Sequence, residues 1–324
     1  MFTRILVALD GSGRAERALP AATQIARATG GTVILATVVP LPAHLEVGAY
    51  DLIDFPTMSN LVVDTGYNDA ERYLSLVRKL PALAGITVET TVLMGSPAAA
   101  LLEEISARKA DLVALTSRGR TGLARWGLGS VTQQVVRGCE VPLLVLREKG
   151  ATLVRQADLE HLFRVLVCLD GGSWAERSIE PAAHLALAMS DSNQAGLHLA
   201  LVVSPGETTP ASTSGALSLH EAKQYLAEVS RRLKQAYPSL TVTWSVGVGM
   251  DIAANITRMA ESGEDAEGVG PFGGCDVIAL TTHGRTGVVR LALGSVAEKV
   301  VQTSRLPILI LHPPAGGEKN TYRL

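Results

Sequence analysis

The sequence predicts an α/β chain built from two open, doubly wound units, and three observations lead there. The chain repeats itself: Arg4 to Gly11 (RILVALDG) aligns with Arg164 to Gly171 (RVLVCLDG) at an offset of 170 − 10 = 160. Asp111 to Glu148 then aligns without gaps to Asp276 to Pro313, with 18 identities in 38 positions. Aliphatic runs of strand length alternate with Ala-rich stretches of helical spacing, the pattern of a parallel sheet with crossover helices. Those runs are apolar almost throughout rather than at alternate positions, as strands covered on both faces require.

Taken in order, the first strand is Arg4 to Leu9, and a helix over Gly13 to Thr29 follows the Asp10-Gly11 turn. Thr32 to Val39 is the second strand and Thr65 to Leu80 the second helix. Thr87 to Leu93 is the third strand, and Pro97 opens a helix to Ala107 because its fixed φ and missing N–H suit a first helical turn. Leu112 to Thr116, a helix over Ser130 to Gly138 and a short strand over Leu143 to Leu146 complete the unit. The second copy repeats the order, giving units at 1–147 and 161–313, a linker at 148–160 and a tail at 314–324. Right-handed crossovers place ligands of such a sheet outside the carboxyl ends of its strands. Residues 260–275 exceed the short connection at 106–110 and, being rich in Gly and acid, read as a solvated surface loop. The Pro-, Ser- and Thr-containing stretches 40–64 and 204–218 lack periodicity and stand where lids over a site would.

Length and composition agree with two domains. The chain has 324 residues, 47% hydrophobic and 19% charged, enough apolar surface for packed cores. With 29 Lys plus Arg against 31 Asp plus Glu it is too balanced to be a nucleic-acid binder, and 4% aromatics gives no stacking platform for single strands. No apolar run reaches the roughly 18 to 20 residues that cross a bilayer, and Arg4 and Asp10 interrupt the N-terminal one, so neither membrane nor secretion signal is expected. Cys139, Cys168 and Cys275 are widely spaced, which supports neither a disulfide framework nor a cysteine metal site, and a cytoplasmic location follows. The histidines show no metal-ligand spacing.

The chemistry lies in two glycine loops. After the fourth strand the first unit reads Thr116-Ser-Arg-Gly119, nine residues, then Gly129-Ser130-Val131-Thr132. The second reads Thr281-Thr-His-Gly284, nine residues, then Gly294-Ser295-Val296-Ala297. Glycines let backbone approach a ligand closely, and the helix that each Ser opens presents N–H groups and a positive dipole end to an anion. Each of these residues also has a plain structural use: glycine for a turn, Ser as a helix N-cap, Asp10 and Asp170 as caps of the first helix. Arg120, Arg125, Arg285 and Arg290 are second-rank phosphate ligands, since solvated loop arginines are common. Enzyme signatures are missing: there is no Walker loop, no Gly-x-Gly-x-x-Gly after the first strand, and no Gly-x-Ser-x-Gly elbow.

Over nearly its whole length the chain resembles the universal stress protein family in its tandem-domain form. Gly-x-x-Gly, nine residues and Gly-Ser, with an Asp closing the first strand, mark that family's nucleotide-binding branch. The resemblance implies Rossmann-like units, each a five-stranded, mostly parallel sheet of order 3-2-1-4-5 with helices on both faces. It implies ATP, ADP or AMP as ligand, with Mg²⁺ arriving on the phosphates. Ala8, Leu9 and Asp10, like Cys168, Leu169 and Asp170, would lie at the adenosine end, and Val38 and Val202 would face the adenine. Thr116, Gly119, Gly129, Ser130, Val131 and Thr132, and in the second unit Thr281, Gly284, Gly294, Ser295 and Val296, would hold ribose and phosphates. Thr116 and Thr281 stand where the family motif begins with glycine, and Trp174 replaces Arg14 at the second site's expected rim. The last strands pair across a dimer in the family, so the tandem chain is expected to form an intramolecular pseudo-dimer. Homodimerisation and an unidentified protein partner are further expectations. The leading function is a nucleotide-dependent stress-response or signalling module; the alternatives are a member that acts through protein contacts without nucleotide, and a slow ATPase.

Overall fold

A computed structural model describes residues 1–41, 55–117, 128–147, 153, 162–190, 195–205, 217–282 and 294–312, with backbone alone for 55–62. In the first unit the elements run β1 (Arg4–Leu9), a 3-10 turn (Ala15–Ala18), α1 (Leu19–Thr29), β2 (Thr32–Val39), α2 (Phe55–Arg78), β3 (Thr87–Met94), α3 (Pro97–Ala107), β4 (Leu112–Thr116), α4 (Ser130–Gly138) and β5 (Leu143–Leu146). The second runs β6 (Phe163–Cys168), a short helical turn α5 (Ser173–Glu176), α6 (Ile179–Met189), β7 (Ala195–Val203), α7 (Leu219–Ala236), β8 (Leu240–Val248) and α8 (Ile252–Ser262). A small hairpin, β9 (Glu264–Ala266) and β10 (Gly270–Phe272), comes next, followed by β11 (Val277–Thr281), α9 (Ser295–Thr303) and β12 (Ile308–Leu311). The linker, apart from Leu153, and the tail lie outside the described residues.

Among the described residues all strands except the hairpin form one sheet of ten, in the order β3-β2-β1-β4-β5-β12-β11-β6-β7-β8. Each unit therefore has the expected order 3-2-1-4-5, parallel within itself. The join is antiparallel, with Leu143 facing Ile310, Leu144 facing Leu309 and Val145 facing Ile308. Left alone, either short strand would present an aliphatic edge to water. Paired, all eight residues of β5 and β12 are buried, and they belong to cores that both units share. Gln24 adds a contact across the join, its Nε2 donating to the Met189 carbonyl at 2.8 Å. The helices cover both faces, so two apolar cores result, and each draws residues from both units.

Two expectations are corrected. The second helix begins at Phe55, ten residues before Thr65. The stretch after α8 is not a loose loop: β9 and β10 pair antiparallel, Phe272 opposite Glu264, and dock on the second unit. The Glu267 N–H donates to the Trp244 carbonyl at 3.0 Å, Phe272 lies 4.1 Å from the His198 ring, and the Arg164 guanidinium sits over the Phe272 ring. Gly263 makes the entry to the hairpin: its φ is +74°, and a Cβ there would fall 1.8 Å from the Phe272 carbonyl oxygen. His198 is fully buried within β7, with Nδ1 2.8 Å from Thr243 Oγ1 and Nε2 2.8 Å from Ser245 Oγ. Burial, reinforced by the Arg164 charge, pushes its imidazole down to about 3, so it is neutral at ordinary pH.

Candidate functional site

At the carboxyl ends of β6, β7 and β11 the sheet splays around a cavity of about 420 Å³, closed on its far side by the N-termini of α8 and α9. Cys168, Leu169, Asp170, Val202, Thr281, Gly294, Ser295 and Val296 all line it, so the structure brings together every described residue that the sequence selects in the second unit. Gly284, with His283, Arg285 and Arg290, lies outside the described residues. The geometry follows from chain direction: parallel strands deliver their last residues to one rim, and each crossover helix starts there.

Val202, Ile252 and Ile256, which pack on one core, give the cavity an apolar slot, and Leu201 and Leu217 line it from the other core. Asp170, Thr281, Thr282, Gly294 and Ser295 supply its polar groups. Gly294 precedes the first residue of α9 and no side chain caps that helix; the first intrahelical bond is donated by Glu298 to the Gly294 carbonyl. The N–H groups of Ser295, Val296 and Ala297 thus have no acceptor within the helix, which is the arrangement that receives an anion. Gly294 N–H itself donates to the Thr282 carbonyl at 2.7 Å, so the loop leaves β11 and returns to the same point. A Cβ on Gly294 would press to 3.0 Å against that carbonyl, which accounts for glycine here.

Asp170 and Asp10 hold turns rather than helix caps. Asp170 Oδ1 accepts the Gly172 N–H at 2.8 Å; Asp10 Oδ1 accepts the Ser12 N–H at 3.0 Å and its hydroxyl at 2.6 Å. Cys168 lines the cavity, but burial pushes its thiol up to about 12, so it is protonated and unreactive near neutrality. Trp174 does not line the cavity; the Arg177 guanidinium stacks on it at 4.8 Å.

The first unit repeats the framework. Ala8 and Leu9 end β1, Val38 is next to last in β2, Thr116 ends β4, and Gly129 N–H returns to the Ser117 carbonyl at 2.8 Å before Ser130 opens α4. Val131 is 37% exposed on the first turn. Thr132 is buried and its hydroxyl donates to the Thr116 carbonyl at 3.0 Å, which fastens α4 to β4. Ala297 takes this place in the second unit. Gly119, Arg118, Arg120 and Arg125 lie outside the described residues. Ile252 and Ile256, the apolar side of the second cavity, escape the sequence reading; their signal is the position one turn apart at the start of the helix after β8. Among the described residues no three His, Cys, Asp or Glu side chains gather as a metal site, and no helix is long and apolar enough to cross a membrane.

Fold and cleft together define a duplicated doubly wound protein with a cavity at strand ends and an uncapped helix N-terminus beside it. The chain belongs to the universal stress protein family, whose model matches residues 1–147 and again 162–312. A universal stress protein of Methanocaldococcus jannaschii is 30% identical over 151 residues, 46% of this chain and 84% of that one. One of Mycolicibacterium smegmatis is 22% identical over 320 residues, 95% of this chain and 97% of that one. The crystal structure of a universal stress protein from Archaeoglobus fulgidus superposes with a TM-score of 0.66 at 19% identity, covering 95% of this chain and 98% of that one, a likeness of fold.

Proposed function

We propose that this chain binds an adenine nucleotide, ATP in the first instance, and works as a nucleotide-dependent module of the stress response. The observation that carries the proposal is the second unit's cavity, where an apolar slot and an open helix N-terminus share about 420 Å³. That volume lies in the range of small-molecule sites, about 300–1,000 Å³. A purine ring suits the slot between Val202 and Ile252, the ribose the strand ends at Asp170 and Thr281, and the phosphates the N–H groups of Ser295 and Val296. Mg²⁺ enters on the phosphates, as it does where it binds through substrate phosphates and few protein groups. The residues of the two units that hold nucleotide are those at the same strand ends and helix starts, with the first unit relying on Ser130 and Val131.

Calorimetric titration with ATP and Mg²⁺ tests this. Saturable heat that loses one site in Gly294→Val and the other in Gly129→Val supports the proposal and assigns the units. Absence of binding by calorimetry and by equilibrium dialysis leaves the protein-contact function. Steady phosphate release that disappears in Ser130 and Ser295 variants would add hydrolysis to binding.

A further inference from the structure

The two outer edges of the ten-stranded sheet are not alike. On β8 the outward carbonyl of Trp244 accepts the Glu267 N–H from the hairpin, and five of nine β8 residues are buried. β3 is the same strand of the first unit: Thr90 faces Leu35 as Trp244 faces Leu199. There the connection after α3 is too short for a hairpin, and no residue of β3 is fully buried. The Gly95 N–H donates inward to the Val39 carbonyl, so by alternation the odd residues of β3 bond to β2 and the peptide groups of Val88, Thr90, Val92 and Met94 point outward. Among the described residues no backbone group meets them. The strand has eight residues and carries none of the usual guards: no Pro, no Lys and one charge, Glu89, which Arg4 and Arg108 neutralise at 3.3 and 3.1 Å.

We propose that the β3 edge is a docking site for a second copy of this chain, pairing β3 antiparallel with its mate about a two-fold axis through Thr91. The strand is self-complementary in that register. Thr91 meets Thr91 of the second copy, Thr90 meets Val92, Val88 meets Met94 and Glu89 meets Leu93. The four outward residues of each strand then exchange both their bonds, eight in all. The two Glu89 side chains stay apart by about four residues, roughly 14 Å along the strand. A groove of about 540 Å³ beside Thr90–Val92 is bordered by the α2 stripe Tyr67, Glu71, Ser75 and Arg78. The same axis lays that stripe antiparallel on its mate, so Glu71 of each copy is brought toward Arg78 of the other. The result is one sheet of twenty strands whose ends are the hairpin-guarded β8 edges, a closed dimer rather than a fibre. This inference does not depend on nucleotide.

Sedimentation velocity across the micromolar range reads the assembly, and cysteine cross-linking reads the register. Thr91→Cys places two thiols in a non-hydrogen-bonded antiparallel pair, with Cα atoms about 4.5 Å apart, within disulfide reach. Mild oxidation is expected to give covalent dimer in Thr91→Cys and only the wild-type background in Thr87→Cys. Thr90→Pro removes an outward N–H that the fold does not use, and is expected to shift the chain to monomer while circular dichroism shows the fold retained. A monomer at every concentration, equal cross-linking at 87 and 91, or a dimer indifferent to a folded Thr90→Pro would each overturn the proposal.

Discussion

Replacing His198 with Gln isolates one buried titration whose size the structure fixes. In the unfolded chain the imidazole takes up a proton near about pH 6.5; in the fold, desolvation and then the Arg164 charge hold it down to about 3. The folded value is lowered, so between those limits the unfolded state binds more protons and stability falls as pH falls. From about pH 7 to about pH 5 the unfolded histidine goes from mostly neutral to almost fully protonated while the buried one stays neutral, a loss of about 2 kcal/mol from this group. The figure requires only that the folded value lie well below 5, so it is insensitive to the depth of the shift. Urea unfolding followed by circular dichroism at several pH values measures it, and the relevant number is the wild-type loss minus the His198→Gln loss. Gln is expected to lower stability at every pH, because Thr243 and Ser245 lose well-placed partners, yet to flatten the acid slope by about that amount. Parallel slopes in the two proteins would refute the reasoning and show that His198 is protonated in the fold.

Three further outcomes follow from single contacts. Thr132→Val removes the buried bond to the Thr116 carbonyl and is expected to cost about 1 kcal/mol in urea unfolding, with Ser117 and the start of α4 exchanging hydrogen faster. Gly263→Ala sets a methyl 1.8 Å from the Phe272 carbonyl at φ +74°, so a loss of about 2–4 kcal/mol is expected, and unchanged stability would show that the hairpin docks otherwise. Cys168, its thiol held up at about 12, is expected to resist iodoacetamide near neutral pH until urea opens the fold, as mass spectrometry of the alkylated peptide would read.

Most element bounds were legible in the sequence because local and tertiary preferences coincide, whereas the strand order came from the family resemblance. α3 starts at Pro97, where first-turn chemistry and the apolar pattern agree. The start of α2 was hidden because Thr57, Ser59, Asn60 and Gly66 are weak helix formers, so local propensity gives no signal there. The hairpin was hidden for another reason: strands of three residues carry no period, and Gly and Pro within them read as loop. What orders it is long-range, Phe272 on His198 and Arg164, neither of which is near in sequence. His198 likewise looks like an interruption between Leu197 and Leu199, because its hydroxyl partners lie 45 and 47 residues further on. At the cavity, the strand-end residues were readable through the resemblance to the universal stress protein motifs, whereas Ile252 and Ile256 enter only once the crossover register is known.

Hydrogen exchange with and without ATP and Mg²⁺ tests the central claim most directly, because the proposed phosphate ligands are backbone amides. The account predicts slowed exchange at Ser295–Ala297 and at Cys168–Asp170, with the same pattern at Ser130–Thr132 where the first unit is filled. Nucleotide that leaves these amides unchanged, or protects a different part of the sheet, would contradict it.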